Sequence, residues 1–464
     1  MGESTSTAEG DTVLSGSSSR RQRITRHSVQ QGGAWRTSRQ AGAGSRRRGC
    51  YEGRTPTLLE AEEEAKCAMP IKRTEYKFRP LVLRPVRPLG NLKDGIPIPM
   101  PRSGHRIVCS GLSFYSFGGY NPKISATDYA DDTWHRTRPL FQELWQFNLV
   151  SHTWTRIKGE GAMPEELASH SAVQRGAYML VFGGTAMPFG DSSSDSLYQC
   201  HLPTGKWQKI VTMGKKPKPM YGQAVCMSDD YLYVVGGTTG FQYSIDVHRL
   251  DLEQRTWDQL SPPFPPPHTV PEERYRHEVV EHEGALYVFG GGRSDASCTL
   301  THLPTFLLDQ RVWASTPTRP DARTNTFPKP RRCHVATKVD KYVYLHGGYN
   351  GSEAFADLWR LNLATFEWQL LPCKSSVPLY FHSAAVTEEG CMYIFGGVRD
   401  LNENIRTARI TKVWLGVARL RDMSWEALCH YCPNLPSLPP SALLAMGIPP
   451  YIVEALQHQT PAYG

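Results

Sequence analysis

Through the middle of the chain, apolar runs of four residues recur, and each ends at a pair of glycines. Phe114-Tyr115-Ser116-Phe117 precedes Gly118-Gly119, Met179-Leu180-Val181-Phe182 precedes Gly183-Gly184, and Leu232-Tyr233-Val234-Val235 precedes Gly236-Gly237. Leu286-Tyr287-Val288-Phe289, Val343-Tyr344-Leu345-His346 and Met392-Tyr393-Ile394-Phe395 stand likewise before Gly290-Gly291, Gly347-Gly348 and Gly396-Gly397. Short apolar runs rich in aromatic and β-branched residues and stopped by glycine predict buried strands. Successive pairs are offset by 65, 53, 54, 57 and 49 residues. A second apolar segment and then a tryptophan follow the first five pairs: Trp154, Trp207, Trp257, Trp313 and Trp368. Self-similarity at a fixed period of this size marks an array of like units, each burying its apolar face against the next.

Glycine suits places where a strand crowds its neighbours and a Cβ would collide or forbid the backbone bend. A tryptophan at the end of each unit supplies a large indole for the contact between units. These units resemble kelch repeats, which form propellers of four-stranded blades. The expected fold is therefore all-β, a six-bladed kelch β-propeller over residues 100–415. The sixth unit offers Lys412-Val413-Trp414-Leu415 as a third strand but no fourth. Within residues 71–99 the β-prone stretch from Tyr76 to Val86 is the expected donor, closing the ring as the missing outer strand.

Composition supports turns and strands, with 40 Gly, 35 Pro, 11 Trp and 21 Tyr. No run approaches the roughly 20 apolar residues needed to span a bilayer, so no membrane association is expected. The 11 cysteines lack a regular framework, as expected of reduced thiols in cytosol or nucleus. Between Arg20 and Arg48 there are nine arginines and no acid, which predicts a disordered tail over residues 1–70 rather than a nucleic-acid interface. Residues 457–464 are a second expected tail.

Enzymatic signatures do not assemble. The run from His277 to His282 has one residue too many between its histidines for a metalloprotease helix and lies where a strand is expected. Cys429-His430-Tyr431-Cys432 is a single CxxC. Kelch-type copper oxidases exist, but no metal ligand set is present. No catalytic residue, metal or cofactor is expected.

Two loop families remain as candidates for binding. One precedes the first strand of each unit: Arg102-Ser103-Gly104-His105, Leu167-Ala168-Ser169-His170, Tyr221-Gly222-Gln223, Arg274-Tyr275-Arg276-His277, Arg331-Arg332-Cys333-His334 and Tyr380-Phe381-His382. The other follows the glycine pairs and includes Arg293 and Tyr349. The kelch resemblance puts both families at one end of the channel. Arg102, Arg274, Arg276, Arg293, Arg331 and Arg332, interleaved with Ser103, Tyr221, Tyr275, Tyr349 and Tyr380, would then form a cationic crown. Guanidinium forks match a carboxylate bidentately, so an acidic loop or a free C-terminus is the expected ligand.

Beyond residue 415 the period changes. Leu420, Ser424 and Leu428 fall at i, i+4 and i+8, one face of a helix, and a further helical segment follows from Pro440. This stripe is similar to the elongin-binding box of cullin 2 ligase receptors, with Arg419 where a small residue or proline is usual. Leu435-Pro436 or Leu438-Pro439 would supply the apolar-proline element of the cullin box. Together with the Arg-Tyr-Arg-His loop and Gly347-Gly348-Tyr349-Asn350-Gly351, the chain resembles the kelch domain-containing protein 10 family. That resemblance implies a non-catalytic substrate receptor, cytoplasmic and nuclear, that captures proteins by C-terminal degrons, notably alanine-ended tails. Residues 416–456 would recruit elongin B and elongin C, then cullin 2 with its RING subunit. The rival expectation is a kelch scaffold holding a cytoskeletal, phosphatase or kinase partner.

Overall fold

A computed structural model describes residues 74–89, 98–124, 138–262 and 270–457. The arginine-rich run and residues 458–464 lie outside them. Six blades of antiparallel strands surround a channel, and blades 2 and 3 each gain a two-residue fifth strand, Glu160–Gly161 and Met213–Gly214, paired parallel on the outer edge. Blade 1 runs Arg106–Ser110, Ser113–Phe117, Leu144–Asn148 and Trp154–Ile157 from the channel outward, and blades 2 to 5 repeat that order. In blade 6 the inner strands are Ser383–Val386, Cys391–Phe395 and Ile410–Trp414. Its outer strand is Arg84–Val86, paired antiparallel with Arg84 opposite Lys412 and Val86 opposite Ile410. The last blade is thus completed by a segment that precedes the first, which joins the ring's two ends through backbone hydrogen bonds.

The tryptophans pack across blade boundaries. Trp207 of blade 2 lies 4.4 Å from Phe117 of blade 1, Trp257 of blade 3 lies 5.2 Å from Phe182, and Trp154 of blade 1 lies 5.1 Å from Phe395 of blade 6. Trp368 is fully buried and donates Nε1 to Leu300 O in the preceding blade, at 3.2 Å. Trp313 is the least buried of the set: it meets Phe306 of its own strand pair edge-on at 5.1 Å, against the core shared by blades 3 and 4.

At five of the six boundaries the first glycine of a pair receives the next blade's histidine. A Cβ on Gly347 would stand 2.7 Å from His382 Cε1, and one on Gly290 would stand 2.7 Å from His334 Cε1. His277 Nε2 bonds Val235 O at 3.0 Å, and in blade 3 Gln223 takes the same place, donating Nε2 to Phe182 O at 2.9 Å. These imidazoles are fully buried among apolar strands, so burial, reinforced by nearby arginines, holds His170, His277 and His334 down at about 3. The unfolded chain accepts protons near pH 6.5, whereas the folded ring refuses them until about pH 3. Stability is therefore complete above pH 6.5 and falls as pH drops below it, by up to about 1.4 kcal/mol per pH unit for each such histidine. We expect the urea midpoint to fall steeply between pH 6.5 and 4.5. His277→Gln, which copies Gln223, should leave the midpoint at pH 7.5 nearly unchanged and make the acid slope shallower; an unaltered slope would refute this account.

After blade 6 come three helices, α1 (Leu420–Tyr431), α2 (Pro440–Ala445) and α3 (Pro450–Gln457). Leu443, Ile452, Val453 and Leu456 bury against Val150, Leu112 and Leu435. Leu112 and Val150 sit in the hairpins at the ends of strands opposite the glycine pairs, so the helices cover the face of the ring away from those pairs. Among the described residues no helix is long and apolar enough to cross a membrane.

Candidate functional site

The two loop families meet at one mouth. Bridges join Ser103 to Tyr120, Ala168 to Thr185, Tyr221 to Thr238, Tyr275 to Gly292, Arg332 to Tyr349 and Tyr380 to Val398, one in each blade. The residue after each bridge, namely Gly104, Ser169, Gly222, Arg276, Cys333 and Phe381, turns into the left-handed region. Each of these six donates its backbone N–H to the carbonyl of the one in the preceding blade, at 2.7 to 3.0 Å, and Gly104 donates to Phe381 O. The result is a closed ring of six hydrogen bonds around the channel.

Just below the ring, Arg106 Nη1 of blade 1 reaches across to Glu278 Oε1 of the opposite blade 4, at 2.9 Å. The cavity left there is about 20 Å³, room for about one water. The Arg106–Glu278 pair thus closes the channel just below the ring.

Consecutive residues of these extended loops point to alternate sides, and that alternation divides the predicted crown. Arg102, Arg274 and Arg331 turn inward and are 0%, 5% and 0% exposed, so they are structural and do not face the mouth. Arg331 donates Nε to Lys329 O at 3.0 Å and Nη1 to Gly347 O at 3.0 Å, and holds Asp357 bidentately at 2.7 and 2.9 Å. Arg102 repeats this with Met100 O, Gly118 O and Glu143, at 3.0, 3.1 and 2.8 Å. Both lie over an aromatic ring, Phe355 at 4.2 Å and Phe141 at 4.1 Å. Arg274 bonds Glu272 O and Gly290 O, at 2.9 and 3.1 Å. Arg332 is also buried, bonding Arg293 O at 2.7 Å, Ser294 O at 2.9 Å and Ala296 O at 3.0 Å, and so shapes the blade 4 loop.

The cations left at the mouth are fewer. Arg276 lies over Phe381 at 4.6 Å, donates Nη2 to Ser169 Oγ, and passes beside Gly222, where a Cβ would meet its Nε at 3.3 Å. Its Nε is buried without a hydrogen-bond partner among the described residues. Arg293 is half exposed, 3.4 Å from Glu273 and 5.9 Å from the Tyr243 ring. Around them stand Tyr221, Tyr275, Tyr349 and Tyr380, with Tyr349 and Tyr380 4.8 Å apart. Burial pushes the Tyr275 and Tyr380 hydroxyls up to about 12, so both stay protonated, able to donate, throughout the neutral range.

Sequence reasoning missed Arg406, which lies over Tyr120 at 4.9 Å and donates Nε to Ser103 Oγ at 3.2 Å. No local signal announced it, because the residues it meets, Tyr120 and Ser103, belong to the first unit of the repeat while it lies in the last. It also missed Phe381 and the Arg106–Glu278 plug. Aligning the six pre-strand loops on their histidine column would have put Phe381 and Arg276 at the same ring position. The buried arginines too had a signal: Glu143-Leu144-Trp145 and Asp357-Leu358-Trp359 repeat an acid two residues before a tryptophan. In both cases the carboxylate also accepts that indole N–H, at 2.8 and 2.7 Å.

On the opposite face, Leu420, Ser424 and Leu428 lie on the outward side of α1, with Leu420 75% and Leu428 41% exposed. Cys429 and Cys432 are free thiols. Among the described residues no group of three or more potential ligands is placed to hold a metal.

Six such blades with a loop-lined mouth define a kelch-repeat β-propeller, a protein-binding scaffold. The KLHDC2/KLHL20/DRC7 Kelch-repeats domain profile matches residues 92–270 and 263–437. The chain is 43% identical over 366 residues to kelch domain-containing protein 10 of Xenopus laevis, covering 79% of this chain and 88% of that protein. It is 40% identical over 388 residues to kelch domain-containing protein 10 of Homo sapiens, covering 84% and 86%, and 36% identical over 388 residues to the Drosophila melanogaster homolog, covering 78% and 62%. The chain belongs to the kelch domain-containing protein 10 family.

Proposed function

We propose that this protein is the substrate-recognition subunit of a cullin 2–elongin B/C ubiquitin ligase, taking free C-termini of other proteins, alanine-ended ones foremost, into the mouth of the propeller. The observation that carries the reading is Arg276. It is a half-buried guanidinium held over the plugged channel beside Ser169 and Phe381, and its bond to Ser169 Oγ leaves Nη donors to spare. A free carboxylate satisfies such a group, and the closed floor admits a terminus while refusing an internal segment. Arg293, Arg406 and the tyrosines Tyr221, Tyr275, Tyr349 and Tyr380 frame the last side chains, with Ser103 held by Arg406. At the other end of the channel, the exposed Leu420, Ser424 and Leu428 stripe suits a helix-in-groove contact with elongin C.

A charge-assisted bond to a carboxylate contributes roughly 1.5–3 kcal/mol, so Arg276→Ala should weaken a peptide with a free alanine terminus by about 10- to 150-fold. Amidating the peptide should weaken it comparably for the unaltered protein and add little for the variant. Calorimetry with both peptides decides the matter: amidated and free peptides binding equally well would exclude the mechanism. Pull-down of elongin B and C by the unaltered chain and by Leu420→Asp tests the other end, and recovery of equal amounts would exclude the stripe as the docking site.

A further inference from the structure

A receptor that delivers its cargo must hold its docking helix at a defined place relative to its mouth, yet α1 has no buried residue. It also spans a cavity of about 670 Å³ bounded by Leu112, Val150, Tyr393 and Trp425. Continuous apolar packing therefore does not fix it. Trp425 packs beside Val150 and donates Nε1 to its carbonyl at 3.4 Å, Arg421 pairs with Glu389 at 3.1 Å, and the densest set of contacts to the ring centres on Glu426. Its Oε1 accepts from Lys412 Nζ and Trp414 Nε1, both at 2.7 Å, and its Oε2 accepts from Tyr76 OH at 2.8 Å. Lys412 and Trp414 are two apart on the third strand of blade 6, so they point to the same side. Lys412 and Glu426 are 14% and 13% exposed.

Tyr76 belongs to the segment that closes the ring. A few residues on, Leu81 N–H bonds Trp414 O at 2.8 Å and Arg84–Val86 forms blade 6's outer strand. The same segment reaches the end of α1, where Tyr76 N–H bonds Tyr431 OH at 3.0 Å and His430 Nε2 lies 2.8 Å from Thr74 O. Burial acts to raise the Glu426 carboxyl, but the Lys412 charge and the three donors outweigh it and hold it below the usual range, so the clamp is ionised at neutral pH.

We propose that Glu426 is a positioning residue: with Tyr76 it clamps α1 to the strand pair that closes the propeller, so that ring closure and the orientation of the docking stripe are one mechanical unit. The consequence for ligase activity rests on the receptor reading above; the clamp itself does not.

Amide hydrogen exchange of the full chain tests the clamp directly. Losing a buried charge-assisted acceptor is expected to speed exchange across α1 by about 10- to 100-fold in Glu426→Ala, while blades 2 to 5 exchange as before. Tyr76→Phe, which removes one hydroxyl, should give a several-fold increase, and Glu426→Gln, which keeps an acceptor for Lys412 and Trp414, should fall between wild type and Glu426→Ala. Unchanged α1 exchange in all three variants overturns the proposal. In a reaction reconstituted with elongin B and C, cullin 2, its RING subunit and an alanine-ended substrate, Tyr76→Phe should bind elongin within about threefold of wild type yet transfer ubiquitin more slowly and to a wider set of lysines. Elongin affinity falling in step with transfer would make Tyr76 part of the docking face and overturn the positioning role. Failure of the wild-type chain to bind elongin would sink the receptor reading and leave the exchange result as the sole judge of the clamp.

Discussion

Replacing Gly396 by alanine should open the joint between the last blade and the first. Gly396 has φ +67, and a Cβ there would stand 2.4 Å from His105 Cε1 and 2.9 Å from Arg102 O. The backbone carbonyl cannot swing aside without breaking its bond to Gly397 N–H at 2.8 Å, and the imidazole is enclosed by Phe395 at 5.1 Å. Left-handed strain alone costs about 1 kcal/mol for a non-glycine residue, and overpacking a closed site adds about 1–3. We expect a loss of about 3 kcal/mol, read as a lower urea midpoint. Gly111 supplies the control, since its φ is +55 but a Cβ there meets nothing within 4 Å. Gly111→Ala should lose only the strain. Equal losses at the two sites would show that the histidine contact does not set the glycine requirement.

The second large effect separates the two kinds of arginine at the mouth. Arg331→Met leaves Asp357, four-fifths buried at its side chain, with the Trp359 indole still donating to it at 2.7 Å. Breaking a buried pair from one side typically costs about 3–5 kcal/mol, so this variant should be strongly destabilised at neutral pH. Adding Asp357→Asn should recover part of the loss, because the orphaned charge is then gone. Peptide affinity measured on the folded fraction should stay within about twofold of wild type, whereas Arg276→Ala should do the reverse, sparing stability and abolishing tight binding. Should Arg331→Met instead be stable and lose peptide binding, the assignment of inward and outward arginines would be inverted.

The resulting division between legible and hidden features follows from the range of each interaction. Glycine pairs and tryptophans were readable because each blade repeats one local packing problem, and a periodic constraint leaves a periodic trace. The donor of the sixth outer strand was readable by elimination, since one unit lacked a strand and one β-prone segment stood unassigned. The crown was misread in part: Arg331 and Arg332 are neighbours in sequence yet face opposite ways, and counting charges in a loop does not register that alternation. Arg406 and the Arg106–Glu278 bridge were invisible, because their partners lie 286 and 172 residues away from them in sequence, Tyr120 and Glu278 respectively.

Sequence alone determined the number of blades, the residues at their joints and the amphipathic stripe of α1, all of which depend on neighbours a few residues off or one repeat away. Tertiary structure decided which arginines are consumed inside the blades and which stay at the mouth, that the channel is plugged, and that Glu426 meets Lys412, Trp414 and Tyr76 beside the ring-closing segment. Those outcomes depend on side chains brought together across the circle, where closure in three dimensions, and no local pattern, sets the distance between charges.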